Sequence, residues 1–387
     1  MLVGADLLPL RFAVFVALFP LAAALSWWVS RRVGWRPAGP LLLIALTPVI
    51  PSLPVWGGLS TDDVLPVSGA VLGLLSVDWR RRPAMGWSPP IILGAILMAV
   101  GAAIAAVANA TGVVAAAQLL LRGVGHIALL ALIAAAVALA APSDRRRRFV
   151  AVAVAVVATF EAVFGLVAWV VTLPGEAGIE PTRQLTSLVG RVVGRIAGTT
   201  GLSPNFLGAL FVLSLPLTVA LALRSDQSRV QRSVWWVAVA AQLVALALTF
   251  TRTSLVIAIV LIGVQLLSRG RFWVLAALAA ILVVVAVVTP LGSRMLGDAN
   301  DRAALWTAAI RMFVDHPLAG VGPGQMLAVA ATDPGRYVDT PFGPATSSAH
   351  NTVLLAAAET GIVGAVGTLL LNVALALVAI ATAVVAR

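Results

Sequence analysis

The sequence predicts an all-α membrane protein that crosses the bilayer many times. Hydrophobic residues make up 61% of the 387 positions and charged residues only 11%, which excludes an ordinary soluble protein. The apolar residues occur in runs of roughly 20, the length that an α-helix needs to cross about 30 Å of hydrocarbon. The chain contains no cysteine, which rules out disulfides, thiolate catalysis and zinc-thiolate sites.

Eleven apolar runs are candidate membrane spans, in line with a polytopic fold of about eleven or twelve transmembrane helices. The third and the ninth are the shortest. The first leads into a basic flank rather than a small-residue cleavage site, so we expect it to stay as an anchor. The predicted spans are 12–29, 41–56, 64–77, 90–107, 113–141, 149–173, 206–223, 234–250, 253–267, 272–288 and 362–386.

The arginines predict the orientation of these spans. Cytoplasmic loops retain Lys and Arg close to the helix ends, and every odd-numbered span ends in a basic segment. The N-terminus is therefore predicted outside and the C-terminus inside. The formal net charge of +11 does not indicate nucleic acid, because the arginines occur in short clusters between apolar runs. Most of the arginines that this orientation places on the external side of the membrane belong to the second half of the chain.

Two predicted external segments are too long to be simple turns, since connections beyond about 12 to 15 residues are usually functional or disordered. The second contains a helical stretch, DRAALWTAAIRMF, followed by the glycine-rich HPLAGVGPGQ, which together could also form only a lid. The predicted regions are N-terminal transmembrane helices at 1–173, an external loop at 174–205, central transmembrane helices at 206–288, a large external loop at 289–349, and a C-terminal signature with the last helix at 350–387.

Arginines in these external segments indicate a site for an anion. Arg191 and Arg195 are four residues apart, so on a helix they would share one face and could grip a diphosphate together. An interfacial helix that contacts lipid headgroups is the alternative. Arg252 lies at a predicted external helix junction, where a snorkelling arginine is the alternative.

His350 is the candidate catalytic base. Among three histidines it alone is predicted where an external loop meets the membrane, at the depth of a lipid-linked substrate. A histidine with an ordinary pKa accepts a proton at neutral pH, which the activation of a hydroxyl requires. A purely structural histidine is the alternative.

Arg122 and His126 are one helical turn apart inside the fifth predicted span. Ionisable residues inside the membrane are functional candidates by default, and proton or ion transport would use such a pair. A salt bridge between helices that involves Glu161 is the alternative. Signatures of nucleotide or metal sites, such as a glycine-rich loop ending in Lys-Ser/Thr or His-Glu-x-x-His, do not occur in the sequence.

Four segments of the second half, taken in order, resemble the O-antigen ligase and O-antigen polymerase superfamily. They are RIAGTTGLSPNFLGAL, FTRTSL, DRAALWTAAIRMFVDHPLAGVGPGQ and HNTVLLAAAETGIVG. Thr251 stands where the family has a serine. The positions that match are Arg195, Gly198, Pro204, Asn205, Arg252, Arg302, Trp306, Pro317, Gly320, Gly322, Gly324, His350, Asn351, Glu359 and Gly361.

The resemblance implies a GT-C-like glycosyltransferase at the outer face of the cytoplasmic membrane that needs neither a metal nor a cofactor. The implied donor is a polyprenyl-diphosphate-linked glycan, and the acceptor is a glycan, a lipid or a protein. Membrane lipids surround such an enzyme, and no nucleic acid takes part. Ligase and polymerase are not separated by the motifs, because the two share their donor chemistry.

The resemblance also implies roles for individual residues. Arg195 and Arg252 would bind the donor diphosphate, with Arg191 and Arg302 as helpers, because fixed guanidinium groups stabilise a leaving diphosphate without Mg²⁺. His350 would deprotonate the acceptor hydroxyl, which then attacks the anomeric carbon in line and inverts it. The predicted supporting residues are Asn205, Trp306, Asn351 and Glu359.

A transporter of an ion or small solute is the competing function. The pair of Arg122 and His126 and the glycine-rich spans favour it, but the halves of the sequence show no convincing repeat of the kind that many transporters have. A membrane scaffold would leave the external arginines unexplained. The concentration of polar residues in the external segments favours the enzyme.

Overall fold

The structure is a computed structural model, and its helices confirm the predicted all-α polytopic membrane fold. Six helices are long and apolar enough to cross a bilayer, and two shorter apolar helices accompany them within the described part of the chain. The structure describes residues 8–49, 54–56, 59–60, 63–78, 88–141, 143–171, 191–192, 195–196, 204–267, 270, 272–274, 276, 279–280, 300–337 and 351–385.

The elements are numbered in chain order. The helices are α1 Leu8–Val33, α2 Ala38–Ala45, α3 Val64–Leu75, α4 Pro89–Ala108, α5 Val113–Ala140, α6 Asp144–Val171, α7 Pro204–Ala222, α8 Arg229–Leu248, α9 Arg252–Leu267, α10 Asn300–Asp315, α11 Met326–Thr332, α12 Pro334–Tyr337 and α13 Thr352–Val385. The strands are β1 Pro54–Trp56, β2 Leu59–Ser60, β3 Arg191–Val192 and β4 Arg195–Ile196, which pair as β1 with β2 and β3 with β4.

Most predicted spans coincide with helices, but the second does not. Helix α2 ends at Ala45, a 3-10 turn follows at Thr47–Val49, and Pro54–Trp56 is a strand. The prediction of one span over 41–56 was therefore wrong. Three prolines within this run, at positions 48, 51 and 54, explain the interruption, because proline removes a backbone donor and clashes with the preceding turn.

Two other predicted spans differ in length, and one is mostly undescribed. Helix α3 has 12 residues, which is about 18 Å and too short to cross the hydrocarbon alone. Helix α13 begins at Thr352, ten residues before the predicted start of the last span. Most of the predicted span at 272–288 lies outside the described residues.

The chain divides into two compact units. The first contains residues 1–53, 60–81 and 136–297, and the second contains residues 54–59, 82–135 and 298–387. Helices α6 to α9 form the main core of the first unit. Its centre consists of apolar side chains, including Ala158, Phe211, Leu243 and Ala258, that are almost completely buried.

A buried glutamine links three helices of this bundle. Gln242 on α8 accepts a hydrogen bond from Ser214 on α7 (2.8 Å) and donates to Thr218 on α7 (3.1 Å) and to Thr159 on α6 (2.9 Å). In an apolar surround each unmade hydrogen bond is costly, so these contacts fix the register of the three helices.

Glycines allow two helices of the second unit to pack backbone against backbone. A β-carbon on Gly94 of α4 would lie 2.8 Å from the Leu371 nitrogen of α13, and one on Gly101 would collide with Gly364. Small residues at such crossings are typical of helices that associate in membranes, where close packing rather than the hydrophobic effect drives association.

Candidate active site

A clasp joins the glycine-rich turn at residues 317–324 to a break in α13. At Gly361 the backbone adopts φ 65° and ψ −164°, so the helix is interrupted there. The carbonyls of Ala358 and Glu359 then accept hydrogen bonds from the nitrogens of Val321 (2.8 Å) and Gly322 (3.0 Å). In the opposite direction, the Ile362 nitrogen donates to the Pro317 carbonyl (2.8 Å). We call this arrangement the 317–324 clasp.

Glycine is required on both sides of the clasp. Gly320, Gly322 and Gly324 all have positive φ, a region that favours glycine. A β-carbon on Gly320 would collide with the Glu359 carbonyl, and one on Gly361 would collide with the Leu318 carbonyl. The glycines of the signature therefore bring two backbones into hydrogen-bonding contact.

Glu359 reinforces the clasp with its side chain. One carboxylate oxygen accepts from the Gly324 nitrogen (2.9 Å) and the other from the Met326 nitrogen (3.3 Å), just before and at the start of α11. A carboxylate acceptor makes such hydrogen bonds stronger than neutral ones. In addition, Asn109 at the end of α4 donates to the Gly320 carbonyl (3.2 Å).

Helix α10 leads into the clasp, as the sequence predicted for DRAALWTAAIRMF and the turn that follows it. Its inner face packs in a core that includes Leu305, Met312 and Ala358 of α13. Arg302 and Trp306 lie one turn apart on this helix, and Trp306 is 41% exposed.

An ion pair joins α12 to the end of α10. The Arg336 side chain on α12 donates to Asp315 at the end of α10 (2.9 Å) and holds the pKa of that carboxyl below its ordinary value. Burial of the Tyr337 phenol raises its pKa. Helices α10, α11 and α12 are thereby tied into one packed group.

Asn351 caps α13 directly after the candidate base. Its side-chain oxygen accepts hydrogen bonds from the nitrogens of Val353 and Leu354, both at 3.1 Å, which is the geometry of an N-cap. His350 itself lies outside the described residues. The cap fixes the backbone of Asn351, which follows His350 in the chain.

In the first unit, the structure brings together two of the predicted motifs. The Thr251 hydroxyl donates to the Pro204 carbonyl and to the Asn205 side-chain oxygen, both at 3.3 Å. Arg252 is the first residue of α9, so its backbone lies next to the start of α7. Phe250 precedes this junction with a φ of 52°, an uncommon value for a non-glycine residue.

Arg191 and Arg195 do not lie on one helix, which is the case in which they would share a face. The two residues lie in strands β3 and β4, which pair antiparallel with Arg191 opposite Ile196 and Val192 opposite Arg195. The Gly194 between the strands and the β-branched valines favour a ribbon over a helix. The two arginines are therefore neither one helical turn apart nor direct cross-strand partners.

The predicted site residues are divided between the two units. Arg191, Arg195, Asn205 and Arg252 belong to the first, and Arg302, Trp306, His350, Asn351 and Glu359 belong to the second. Among the described residues, no group of three or more His, Asp or Glu side chains converges in a way that could hold a metal ion.

Sequence reasoning missed one contact of the clasp, which involves helix α5. Gly123 packs against Pro323, and the Arg122 side chain runs alongside Gly324. Arg122 stands out in the sequence as a charge inside a membrane span, but nothing in its neighbourhood identifies the distant turn as its partner.

The comparisons with known proteins agree with the motifs. Residues 237–369, about a third of the chain, match the family model described as O-antigen ligase. The matched segment contains Arg252, the 317–324 clasp, His350 and Glu359, whereas Arg122 and the β3–β4 ribbon precede it. The comparisons with curated proteins and with solved structures give no match.

Proposed function

We propose that this chain, in which residues 237–369 match the O-antigen ligase family model, belongs to that family and transfers a glycan from a polyprenyl-diphosphate donor to an acceptor hydroxyl. The match to the O-antigen ligase model and the apolar helices support a multi-pass membrane protein with a glycan-transfer function in polysaccharide assembly. The donor, the inverting mechanism, the cytoplasmic membrane and the external face are the proposed parts.

The observation that carries the proposal is the clasp within the matched segment. It connects α10, which carries Arg302, to the helix that starts two residues after His350. A base must lie within hydrogen-bonding reach of the proton that it removes, so the chemistry needs a rigid mount for the histidine. The Asn351 cap and the hydrogen bonds of Glu359 make the segment that follows His350 rigid.

The proposed mechanism needs fixed positive charge at the leaving group. As the glycosyl bond breaks, its electron pair moves onto the diphosphate oxygen, and a guanidinium can donate two hydrogen bonds to it. Arg252 and Arg195 are assigned this role, with Arg191 and Arg302 as helpers. His350 takes the proton of the acceptor hydroxyl while the oxygen attacks the anomeric carbon from the opposite side.

The test is glycan transfer by the purified protein from a polyprenyl-diphosphate-linked oligosaccharide in the presence of EDTA. We expect His350→Ala and Arg252→Ala to insert and fold like the wild type but to lose about a hundredfold in rate, since one such contact contributes about 3 kcal/mol to the transition state. Arg147→Ala is the control, because Arg147 is exposed and pairs with Asp144.

Near-normal transfer by either variant would remove that residue from the mechanism. Failure of the wild type with every acceptor, together with solute or ion flux in proteoliposomes, would favour the transporter instead.

A further inference from the structure

Helix α5 is distorted at Arg122. Residues Leu121–Gly125 form a π-helical segment within an otherwise regular 28-residue helix. Segments of this kind are rare and frequently mark functional sites. The His126 Nδ1 lies 3.0 Å from the Arg122 carbonyl oxygen and donates a hydrogen bond to it, which stabilises the distortion. Because a carbonyl oxygen can only accept, Nδ1 carries the proton.

The distortion places Arg122 beside the clasp. A β-carbon on Gly123 would lie 3.0 Å from a Pro323 ring carbon, so α5 and the turn touch there. A β-carbon on Gly324 would lie 3.6 Å from the Arg122 Cδ and 3.8 Å from its Nη1. The guanidinium therefore lies next to the part of the turn that Glu359 holds, and its charge acts on that carboxylate.

Among the described residues, Arg122 forms no ion pair, although its charge acts on Glu359. In the described part of the second unit no carboxylate lies within 4 Å of the guanidinium, and the Glu359 oxygens are engaged by backbone nitrogens. Arg122 is also exposed, although it lies about 14 Å along the axis from the start of the helix. A charged residue at such a position costs about 2.5 to 3.5 kcal/mol in a membrane and is retained where it has a function.

A guanidinium with free donors binds phosphate groups well, since its fork of N–H groups matches their geometry. We propose that Arg122 is a further binding residue for the donor, contributed by the first half of the chain, and that it contacts a phosphate group of the polyprenyl-diphosphate carrier beside the 317–324 clasp. The inference rests on the proposed function, because it takes its donor from there.

The test separates binding from transfer. Wild type and variants are placed in nanodiscs of phosphatidylcholine alone, and the affinity for a polyprenyl diphosphate without glycan is measured directly, with KM for the glycan-loaded donor beside it. For Arg122→Gln we expect the affinity to fall and KM to rise by about tenfold to a hundredfold, the range for a hydrogen bond to a charged group. Arg122→Lys, which keeps the charge without the fork, should lie between.

The control is Arg147→Gln, which removes the same charge at an exposed residue that pairs with Asp144, and it should change neither value. If Arg122→Gln is misfolded by size exclusion, Arg122→Lys decides the question alone. Unchanged affinity in a folded variant would overturn the role of Arg122.

A second series in nanodiscs with phosphatidylglycerol distinguishes the carrier from an ordinary lipid. If Arg122→Gln loses retention of phosphatidylglycerol but keeps its affinity for the polyprenyl diphosphate, Arg122 binds headgroups and the inference is wrong. A wild type that does not bind the polyprenyl diphosphate would overturn the proposed function itself, and with it this role of Arg122.

Discussion

Single residues at the clasp show which contacts the sequence could predict. The resemblance identified Glu359 and Asn351 as supporting residues, and their type limits what they can do: a carboxylate and an amide oxygen accept hydrogen bonds. Glu359 accepts from the nitrogens of Gly324 and Met326, and these partners depend on the three-dimensional fold. Asn351 accepts from the nitrogens of Val353 and Leu354, and these partners depend only on local helix geometry. The cap was therefore predictable from sequence, and the bond across 35 residues was not.

Replacing Glu359 by Gln tests the contribution of the clasp to stability. The amide has one acceptor oxygen in place of two, so one of the two backbone bonds is lost and the other is no longer charge-assisted. We expect the free energy of unfolding to fall by about 1 to 2 kcal/mol. The measurement is thermal unfolding in detergent together with the rate of proteolysis in residues 317–325, and an unaltered rate would contradict the role of the carboxylate.

Asp226, in the exposed loop between α7 and α8, provides a test of how an ion pair contributes to stability. Two hydrogen bonds from Arg224 (2.8 and 2.7 Å), with additional attraction from Arg224 and from Arg148, lower the pKa of Asp226 from 3.8 to about 2. Its contribution to stability is therefore present above pH 4 and lost as the pH falls towards 2.

The corresponding experiment compares Asp226→Asn with the wild type by thermal unfolding between pH 2 and pH 6. We expect the variant to unfold at a lower temperature at pH 6 and the difference to shrink as the pH falls to 2, where about half of the wild-type carboxyl is protonated as well. A difference that is constant with pH would show that packing rather than charge is responsible. Because the pair is exposed, added salt should reduce the difference.

Among the elements, the long apolar helices were predictable and the short irregular segments were not. Helices α4, α5, α7 and α8 follow the predicted spans closely, because a run of about 20 apolar residues has few alternatives in a bilayer. The segment 41–56 has a similar composition, yet its prolines divide it. The β3–β4 ribbon could not be distinguished from a helix by arginine spacing alone, since residues four apart carry no information about backbone type.

The break in α13 gives a prediction at the scale of an element. Gly361→Ala would place a side chain at φ 65° and ψ −164°, a region that is essentially restricted to glycine, and against the Leu318 carbonyl. We expect a loss of stability of about 1 to 3 kcal/mol from the backbone alone. The variant should unfold at a lower temperature than the wild type in the same detergent.

Gly263 provides the matched control. It lies within α9, and a β-carbon there meets nothing within 4 Å. Gly263→Ala should therefore leave stability unchanged or raise it by up to about 1 kcal/mol, because alanine favours a helix. If both substitutions had the same effect, the strain at Gly361 would be excluded as the cause.

At the scale of the whole molecule, composition alone predicted the class of fold, and ordered motifs predicted the family model that residues 237–369 match. The division into two compact units was not predictable, because it depends on which helices pack together rather than on any boundary in composition. The helix α5 illustrates the difficulty, since its sequence is apolar apart from Gln118, Arg122 and His126, while its residues belong to both units.

The predicted orientation can be tested on the intact protein. The absence of cysteine means that a single introduced thiol is the only one in the chain. We expect Thr332→Cys, in the predicted external segment, to react with a membrane-impermeant maleimide in intact cells. Ser225→Cys, in the loop before α8, should react only after permeabilisation, because the basic flanks place it inside. The reverse pattern would invert the proposed topology and remove the external active site.

The clasp also has a consequence for the order in which the protein is made. The turn at 317–324 leaves the ribosome before the segment 358–362 whose carbonyls it caps, so its nitrogens must remain hydrated until α13 has been synthesised. The carbonyls of Ala358 and Glu359 lack these two partners until the turn docks, and unpaired backbone groups are costly once buried. Maturation of the second unit is thus a late step in biosynthesis, in which the turn docks onto α13 as that helix enters the membrane.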